Sequence, residues 1–313
     1  MELDTFVTRL SPNETNAVSK ERQRFMSNDE FIPSLIATDW NEEWKKLQVV
    51  REKTDDSTIW DAKAKSFPVK HGSQEGYVAE FLRLAGIEAH ETVLDMGCGT
   101  GALATPLALQ GCNVVASYFS QGMLDVMIAD QKALGVSSVN VKLMSWSDNW
   151  ESFGVGPKSV DVAIASRSIA TCDLRDSLER LDHVAKRRVC ITLPGSSSPR
   201  CDDDLLRRAG LEGHVGHDFL YAFNILIQMG VKPEVAYIPN TRIERFDTFD
   251  EALDKFVTVA KEAARGYASV EQIESIPDRL RNWLEDSLIE VDGMLQLSEP
   301  RNVVWAFLAW EPR

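Results

Sequence analysis

Short apolar runs alternate with longer amphipathic segments through the middle of the chain. Apolar runs that predict strands occupy residues 92–94, 113–117, 139–144, 160–165 and 188–193. Helical patterns fill intervals between them at residues 102–110, 123–134 and 175–184. Strands separated by helices of roughly 10 to 15 residues are joined by crossovers, which make neighbouring strands parallel. The pattern therefore predicts a doubly wound α/β fold, with helices on both faces of a mostly parallel sheet.

Two later apolar segments, 235–246 and 302–310, predict the last strands of a seven-stranded sheet. We expect the second of them to be an antiparallel edge strand. The intervening residues 248–289 have helical spacing, with Phe249, Leu253 and Phe256 on one face. An insertion of this length is typical either of a cover over a site or of an oligomer contact. The sequence leaves both roles open, and a homo-oligomer is one of them.

The first 59 residues are polar and charged but contain an apolar helical stripe. The stripe consists of Phe31, Ile32, Leu35 and Ile36, followed by Trp40 and Trp44. Such a stripe has to pack against another surface, so we interpret residues 1–59 as a helical arm or cover. Residues 60–200 form the predicted core. Residues 201–313 form the C-terminal half of the same domain, including the helical insertion.

Composition narrows the class of protein. With 44% hydrophobic and 26% charged residues, the chain is typical of a folded globular protein. No apolar run approaches the roughly 20 residues of a membrane-spanning helix, and the N-terminus is acidic and polar, unlike a secretory signal. The five cysteines are scattered and never spaced as CxxC, which favours reduced thiols. We therefore expect a cytoplasmic protein that does not enter the membrane.

The net charge is −14 at pH 7. This charge disfavours nucleic acid as a partner, because proteins that bind nucleic acid usually concentrate positive charge on one face. The local basic clusters at 186–188 and 207–208 lack interleaved aromatic residues. We interpret them as solvated surface rather than as a nucleic-acid site. An acidic surface is compatible with a small-molecule substrate, and it equally suits a basic protein partner.

A glycine-rich loop follows the first predicted strand. It reads Asp95-Met96-Gly97-Cys98-Gly99-Thr100-Gly101. Alternating glycines let a ligand lie against the backbone, and the acid can face the cationic amino-acid end of S-adenosylmethionine. The loop also satisfies the looser dinucleotide fingerprint, but a carboxylate is unfavourable beside a pyrophosphate, and the usual acidic ribose contact about 20 residues later is missing. The loop therefore favours S-adenosylmethionine over NAD.

On these residues the stretch 60–200 resembles the Rossmann-like core of class I S-adenosylmethionine-dependent methyltransferases. Residues 93–101 resemble the family's first motif, and residues 120–124 its S-x-x-M-L helix opening. The resemblance implies methyl transfer from S-adenosylmethionine to an O, N, S or C atom of an acceptor, here of the small-molecule type. The implied cofactor-binding residues are Asp95, Gly97, Cys98, Gly99, Gly101, Tyr118, Phe119, Met123, Ser145, Trp146, Ser166 and Trp60.

One position departs from the family pattern. Members usually end the second strand with an acid that binds both ribose hydroxyls, whereas this chain has Tyr118 there. Tyr118 offers its hydroxyl or its ring to the nucleoside instead. The departure keeps open an alternative in which the chain is a regulatory or scaffold protein that has lost turnover. An NAD-dependent oxidoreductase is a third, weaker reading.

The segments after the third and fourth strands are the next candidates. Trp146 follows Ser145 in a segment that resembles the one surrounding the adenine, although core packing explains Trp146 equally well. Ser166-Arg167-Ser168 stands where nucleic-acid amino-methylating relatives carry an Asn/Asp-Pro-Pro-Tyr/Phe signature, which argues against such substrates. Arg167 is a candidate for binding an anionic group of a small substrate.

The remaining candidates are dispersed. Residues 60–67 resemble a W-D-x-x-A-x-x-F stretch that lies across the cofactor in small-molecule methyltransferases, where Trp60, Phe67 and Tyr77 would cover the sulfonium, although helix packing explains these residues equally well. His71, His214 and His217 are candidate bases. Tyr221 and Asn224 are candidates for lining the substrate pocket, with core or capping roles as the alternative. No metal site is predicted from His214 and His217, and no catalytic residue is assigned, because direct displacement requires alignment more than it requires a base.

Overall fold

The computed structural model describes residues 34–51, 56–64, 76–195, 200–211, 217–265 and 268–313. Its contacts divide the chain into two units, Met1–Asp39 and Trp40–Arg313. Within the first unit the structure describes the short helix α1 (Ser34–Ala37), which carries Leu35 and Ile36 of the predicted stripe. Phe31 and Ile32 lie outside the described residues.

The second unit contains the predicted alternation of strands and helices. Its first helices are α2 (Trp40–Arg51), α3 (Ser57–Ala64) and α4 (Tyr77–Ala85). The order then runs β1 (Thr92–Met96), α5 (Ala104–Leu109), β2 (Asn113–Tyr118), α6 (Gln121–Ala133), β3 (Val139–Leu143), β4 (Val160–Ser166), α7 (Leu174–Val184), β5 (Ala185–Pro194), α8 (Asp203–Arg208), α9 (Asp218–Gln228) and β6 (Glu234–Arg242). It closes with β7 (Arg245–Phe246), α10 (Phe249–Ala264), α11 (Val270–Ser287), β8 (Leu288–Val291), β9 (Met294–Leu297) and β10 (Arg301–Trp310).

Seven strands form the main sheet in the order β3-β2-β1-β4-β5-β10-β6. The pairs from β3 to β5 are parallel, and β10 is antiparallel to both of its neighbours. The doubly wound, mostly parallel sheet is therefore confirmed. The expected edge position of the last strand is wrong, because β10 lies inside the sheet and β6 forms the edge. The reason is visible in β10 itself, whose residues 305–310 are all buried and so pack on both faces.

Helices cover both faces of the sheet. On one face α2, α7 and α9 pack around Trp44, Leu178 and Ile225, and on the other α4, α5 and α6 pack around Phe81 and Leu107. Trp44 is fully buried, and its indole nitrogen donates to the Thr171 carbonyl at 2.7 Å. Helix α2 therefore belongs to the main unit, which begins earlier than residue 60.

The insertion is larger than its predicted helices. Helices α10 and α11 confirm the helical pattern, but β7, β8 and β9 add a small separate sheet in the order β7-β9-β8. The predicted strand 235–246 is consequently divided, with β6 in the main sheet and β7 in the small one. Asp292 and Gly293, both with positive φ, turn the β8–β9 hairpin; an Asp-Gly pair is a known hairpin signal. The insertion has its own apolar cluster, centred on Phe256 and shared with α8.

Across the described ranges, none of the helices combines the length and the apolar character needed to cross a bilayer.

Candidate functional site

The carboxyl ends of β1 and β4 mark the point where the strand order reverses. The chain proceeds from β1 outward through β2 and β3, and then returns to place β4 on the other side of β1. In open α/β sheets the crevice at such a reversal is where ligands bind. The glycine loop 97–101 leaves β1 at this point, so the fold places the predicted motif at the expected edge.

The three loop glycines meet different requirements. Gly97, Gly99 and Gly101 have φ of 83°, 57° and 82°, in the left-handed region that favours glycine. A Cβ on Gly97 would lie 2.3 Å from the Cβ of Ser168, and one on Gly101 would lie 2.5 Å from Met127 Cγ. A Cβ on Gly99 would meet, among the described residues, only Met123 Cε, at 3.7 Å. Gly97 and Gly101 are therefore fixed by close packing, whereas Gly99 leaves a surface that a ligand can approach.

Neighbouring strands hold the loop in place. The Gly97 and Cys98 amides both donate to the Ser117 carbonyl at the end of β2, at 2.8 and 3.0 Å. From β4, the Ser168 hydroxyl donates to the Met96 carbonyl at 2.7 Å. Burial raises the pKa of the Cys98 thiol well above its usual value, so this side chain stays a neutral thiol. Cys98 is thus part of a rigid cradle and not a nucleophile.

Asp95 lies beneath the loop with 2% of its surface exposed. Burial raises the pKa of Asp95 to about 7. A hydrogen bond donated by the Ala104 amide, at the start of α5, has the smaller, opposite effect. The first amide of α5 is thus engaged by Asp95. Among the described residues none bonds to Asp95 Oδ2. An unsatisfied buried carboxylate oxygen fits a cationic or donor group bound on the loop, as S-adenosylmethionine would supply.

Aromatic side chains gather at the end of β2. The Tyr118 ring lies 4.8 Å from that of Phe119, and Trp60 of α3 meets Tyr118 edge-on at 6.3 Å. Lys63 Nζ lies 4.7 Å from the centre of the Trp60 ring. The structure thereby brings Trp60, Tyr118 and Phe119 together, in the apolar cluster that also contains Met123. Their contact with a nucleoside stays a prediction.

Asp61 takes part in this group, although the sequence assigned it no role. Its Oδ1 accepts from the Ser120 hydroxyl at 2.5 Å and from the Gly122 amide at 2.8 Å. These two hydrogen bonds hold the pKa of Asp61 below its usual value, so the group is ionised at neutral pH. A Cβ on Gly122 would lie 3.2 Å from the Asp61 Cα, so glycine allows α3 to approach the start of α6 closely.

The segment after β3 is fixed by its own hydrogen bonds. The Ser145 amide donates to Asp148 Oδ2 at 2.7 Å, and Trp146 Nε1 donates to the Ser168 carbonyl at 3.1 Å. The Trp146 ring is half-buried and lies 5.5 Å from Trp150. Trp146 therefore connects the ends of β3 and β4, and its predicted stacking on adenine remains to be tested.

A compact polar cluster joins the ends of β4 and β5. The Tyr77 hydroxyl lies 2.7 Å from both Ser166 Oγ and Thr192 Oγ1, and the Arg167 amide donates to the same Thr192 oxygen at 3.0 Å. Burial raises the pKa of Tyr77, so its phenol stays protonated. The Arg167 guanidinium lies 4.3 Å from the Tyr77 ring. Arg167 has φ of 59°, a conformation costly for a residue with a side chain.

The other candidates are less clearly placed. Tyr221 packs edge-on against Trp40 and Trp44, with centroids 6.2 and 5.7 Å away. Asn224 donates within its own helix to the Leu220 carbonyl at 2.7 Å. Both contacts fit the packing and capping alternative. His71, Phe67 and His214 lie outside the described residues.

Comparison with known proteins gives a family match over part of the chain. Residues 93–188 match the family model described as methyltransferase domain. An uncharacterized protein of Haemophilus influenzae is 34% identical over 182 residues, which are 57% of this chain and 65% of that protein. The chain thus aligns with about two thirds of that relative's length.

Solved structures show weaker likenesses. YcgJ of Bacillus subtilis is 13% identical with a TM-score of 0.48, and the match covers 76% of this chain and 98% of YcgJ. Magnesium protoporphyrin IX methyltransferase of Synechocystis, with bound S-adenosylhomocysteine, is 17% identical with a TM-score of 0.41, covering 74% and 91% of the two chains. Identities and TM-scores this low carry no argument about function, which is inferred instead from the family match and from the geometry of the site.

Proposed function

We propose that the protein methylates a small-molecule acceptor by direct displacement, with S-adenosylmethionine as the donor and a class I methyltransferase domain as the site. The observation that supports this most strongly is the glycine loop. Its conformation, its contact with Ser168 and the unsatisfied Asp95 oxygen beneath it together form a cradle at the strand-order reversal. The residues present fit the donor's cationic amino-acid end.

When bound, S-adenosylmethionine supplies an electrophilic methyl group on a sulfonium. The side chains of the protein have the task of alignment, since two reactants held in line need little further assistance. Tyr77, Ser166 and Thr192 fix the ends of β4 and β5 beside the loop. With their pKa values raised by burial, Tyr77 and Cys98 are neutral at physiological pH and are poor bases. Neither of these two side chains is therefore expected to take the acceptor's proton.

Two features support a small acceptor. A chain with a net charge of −14 repels a phosphate backbone, and the Ser166-Arg167-Ser168 segment differs from the signature of nucleic-acid amino methylation. None of the five cysteines, all of which the structure describes, takes part in a disulfide bond, which supports a reducing compartment such as the cytosol.

Calorimetry with S-adenosylmethionine and S-adenosylhomocysteine tests the donor site. We compare Gly97→Ala with Gly111→Ala, because both glycines have positive φ but only Gly97 lies against another side chain. Gly97→Ala should abolish measurable binding, Gly111→Ala should retain it, and Gly97→Ala combined with Ser168→Gly should recover part of it. Absence of binding to the unmodified protein would refute the proposal.

Methyl-labelled donor tests the acceptor class. The protein is incubated with the donor and, separately, with metabolites of low molecular mass, denatured protein and nucleic acid. Label in the metabolite fraction supports the proposal. Label confined to protein or nucleic acid would contradict the small-molecule assignment.

A further inference from the structure

Four arginines lie at the carboxyl edge of the main sheet, on the side of β4 that is away from the glycine loop. Arg167 follows β4, Arg200 follows β5, and Arg242 ends β6. Because β10 is antiparallel to its neighbours, its first residue, Arg301, lies at the same edge, directly opposite Arg242 in the β6–β10 pairing. Arginines far apart in the sequence are thus collected beside the proposed methyl-transfer site.

Arg301 is neutralised by its neighbours. Its Nε donates to Asp202 Oδ2 at 2.8 Å and its Nη1 to Glu244 Oε2 at 2.9 Å. Its Nη2 donates to the Arg200 carbonyl at 2.6 Å. All three groups of this guanidinium are therefore occupied, and Arg301 holds the chain around the edge in place.

Arg167 and Arg242 have no such carboxylate partner among the described residues. The Arg242 Nε is buried, and none of those residues accepts a hydrogen bond from it. Burial lowers the pKa of Arg242, and the positive charges of Arg301, Arg200 and Arg167 lower it further against the opposing effect of Glu244. Mutual repulsion and an unsatisfied donor both disfavour this arrangement, and a bound anion would relieve both.

Trp305 extends the donor-rich surface toward β4. Residues 301, 303 and 305 alternate onto one face of β10, so Trp305 shares its face with Arg301. The Trp305 side chain is 4% exposed, and its Nε1 has no acceptor among the described residues. The Arg167 guanidinium lies 5.9 Å from its ring. Arg167, Trp305 and Arg242 therefore form a series of donors, from the end of β4 to the end of β6, for which the described part of the chain offers no acceptor.

We propose that the methyl acceptor carries a carboxylate or phosphate group, which binds between Arg167 and Arg242 with Trp305 Nε1 as an additional donor. The identification of this anion as part of the acceptor rests on the proposed function. Arginine suits the role because its planar group forms paired hydrogen bonds with either anion. Because the chain as a whole has a net charge of −14, this local cluster of positive charge also makes the edge a favourable place for an anion to bind.

The test uses the full chain saturated with S-adenosylhomocysteine, labelled with ¹⁵N at tryptophan, and titrated with inorganic phosphate or with succinate. The indole resonance of Trp305 is assigned with Trp305→Phe. We expect a saturable shift of this resonance with at least one probe, and the stronger probe identifies phosphate or carboxylate as the group. Arg242→Gln and Arg167→Gln should each weaken probe binding about tenfold or more, since each removes charge-assisted hydrogen bonds.

Arg83→Gln is the matched control, because Arg83 is an exposed arginine of α4 paired with Glu80. It should leave probe binding unchanged, and Arg242→Lys should fall between Arg242→Gln and the parent protein. A Trp305 resonance that does not move with either probe, or a shift that survives in both glutamine variants, would overturn the anion site. Affinity for S-adenosylhomocysteine, measured on the same samples, separates that failure from failure of the donor site.

Discussion

Replacing Asp95 with asparagine should change donor binding in a way that depends on pH. Burial raises the pKa of Asp95 to about 7, so the carboxyl is about half ionised at neutral pH. If the ionised form receives the donor's cationic end, protons compete with the donor. Between pH 8 and pH 6 the ionised fraction falls from about nine tenths to about one tenth, and the affinity should fall about tenfold.

Calorimetry in two buffers with different ionisation enthalpies measures this linkage directly. At pH 6.5 the parent protein should release a proton on binding S-adenosylmethionine, because the bound cation favours the ionised carboxyl. Asp95→Asn should bind more weakly, with an affinity that depends less on pH. It also serves as the control for protons released by the ligand itself. Equal affinities and equal proton release in the two proteins would refute a contact between Asp95 and the donor.

The same substitution makes an opposite prediction for the stability of the ligand-free protein. A raised pKa means that the folded state binds the proton more tightly than the unfolded chain, so stability falls as the pH rises from 3.8 to about 7. A shift of about three pH units corresponds to about 4 kcal/mol. Asparagine retains an acceptor for the Ala104 amide without the charge. Thermal unfolding should therefore show Asp95→Asn as the more stable protein at pH 8, with an advantage that disappears toward pH 4.

Two further substitutions test the contacts around the loop. Tyr77→Phe removes a buried hydroxyl that lies 2.7 Å from both Ser166 Oγ and Thr192 Oγ1, so chemical denaturation should show the free energy of unfolding lowered by about 1–3 kcal/mol. Tyr237→Phe, at a 55% exposed position of β6, should lower it far less. Equal losses in the two variants would contradict a stabilising role for the cluster. Asp61→Asn weakens the acceptor of the Gly122 amide, so hydrogen exchange at that amide should accelerate. Asp125→Asn, in the helix α6 that contains Gly122, should leave the exchange rate unchanged. An unaltered Gly122 rate in Asp61→Asn would show that Asp61 does not hold the start of α6.

Local patterns predicted most of the fold because most of its elements are locally encoded. The crossover helices and parallel strands follow from apolar spacing alone. The errors arose where the position of a strand depends on the strands that pair with it. The sequence of an apolar strand does not distinguish an edge position from an internal one. The position of β10 between β5 and β6 is therefore seen only in the pairing of the folded sheet.

The candidate site divides in the same way. The glycine loop is a contiguous motif whose backbone conformation demands its residues, so sequence alone located it. The cluster of Tyr77, Ser166 and Thr192 draws one hydroxyl from each of α4, β4 and β5. None of these residues is distinctive in its own segment, and only the folded sheet makes them neighbours. Asp61 was visible beside Trp60, but its partners Ser120 and Gly122 were not.

The arginine edge shows why a charge total is a weak guide to a ligand. A net charge of −14 argues against a polyanion that would cover much of the surface, because the whole field repels it. A single carboxylate or phosphate responds mainly to charges within a Debye length of about 10 Å. Arg167 follows β4 and Arg242 ends β6, and the antiparallel insertion of β10 brings the carboxyl end of β6 to the same edge of the sheet as that of β4. The sheet order, which the charge total does not contain, therefore determines what this surface can bind.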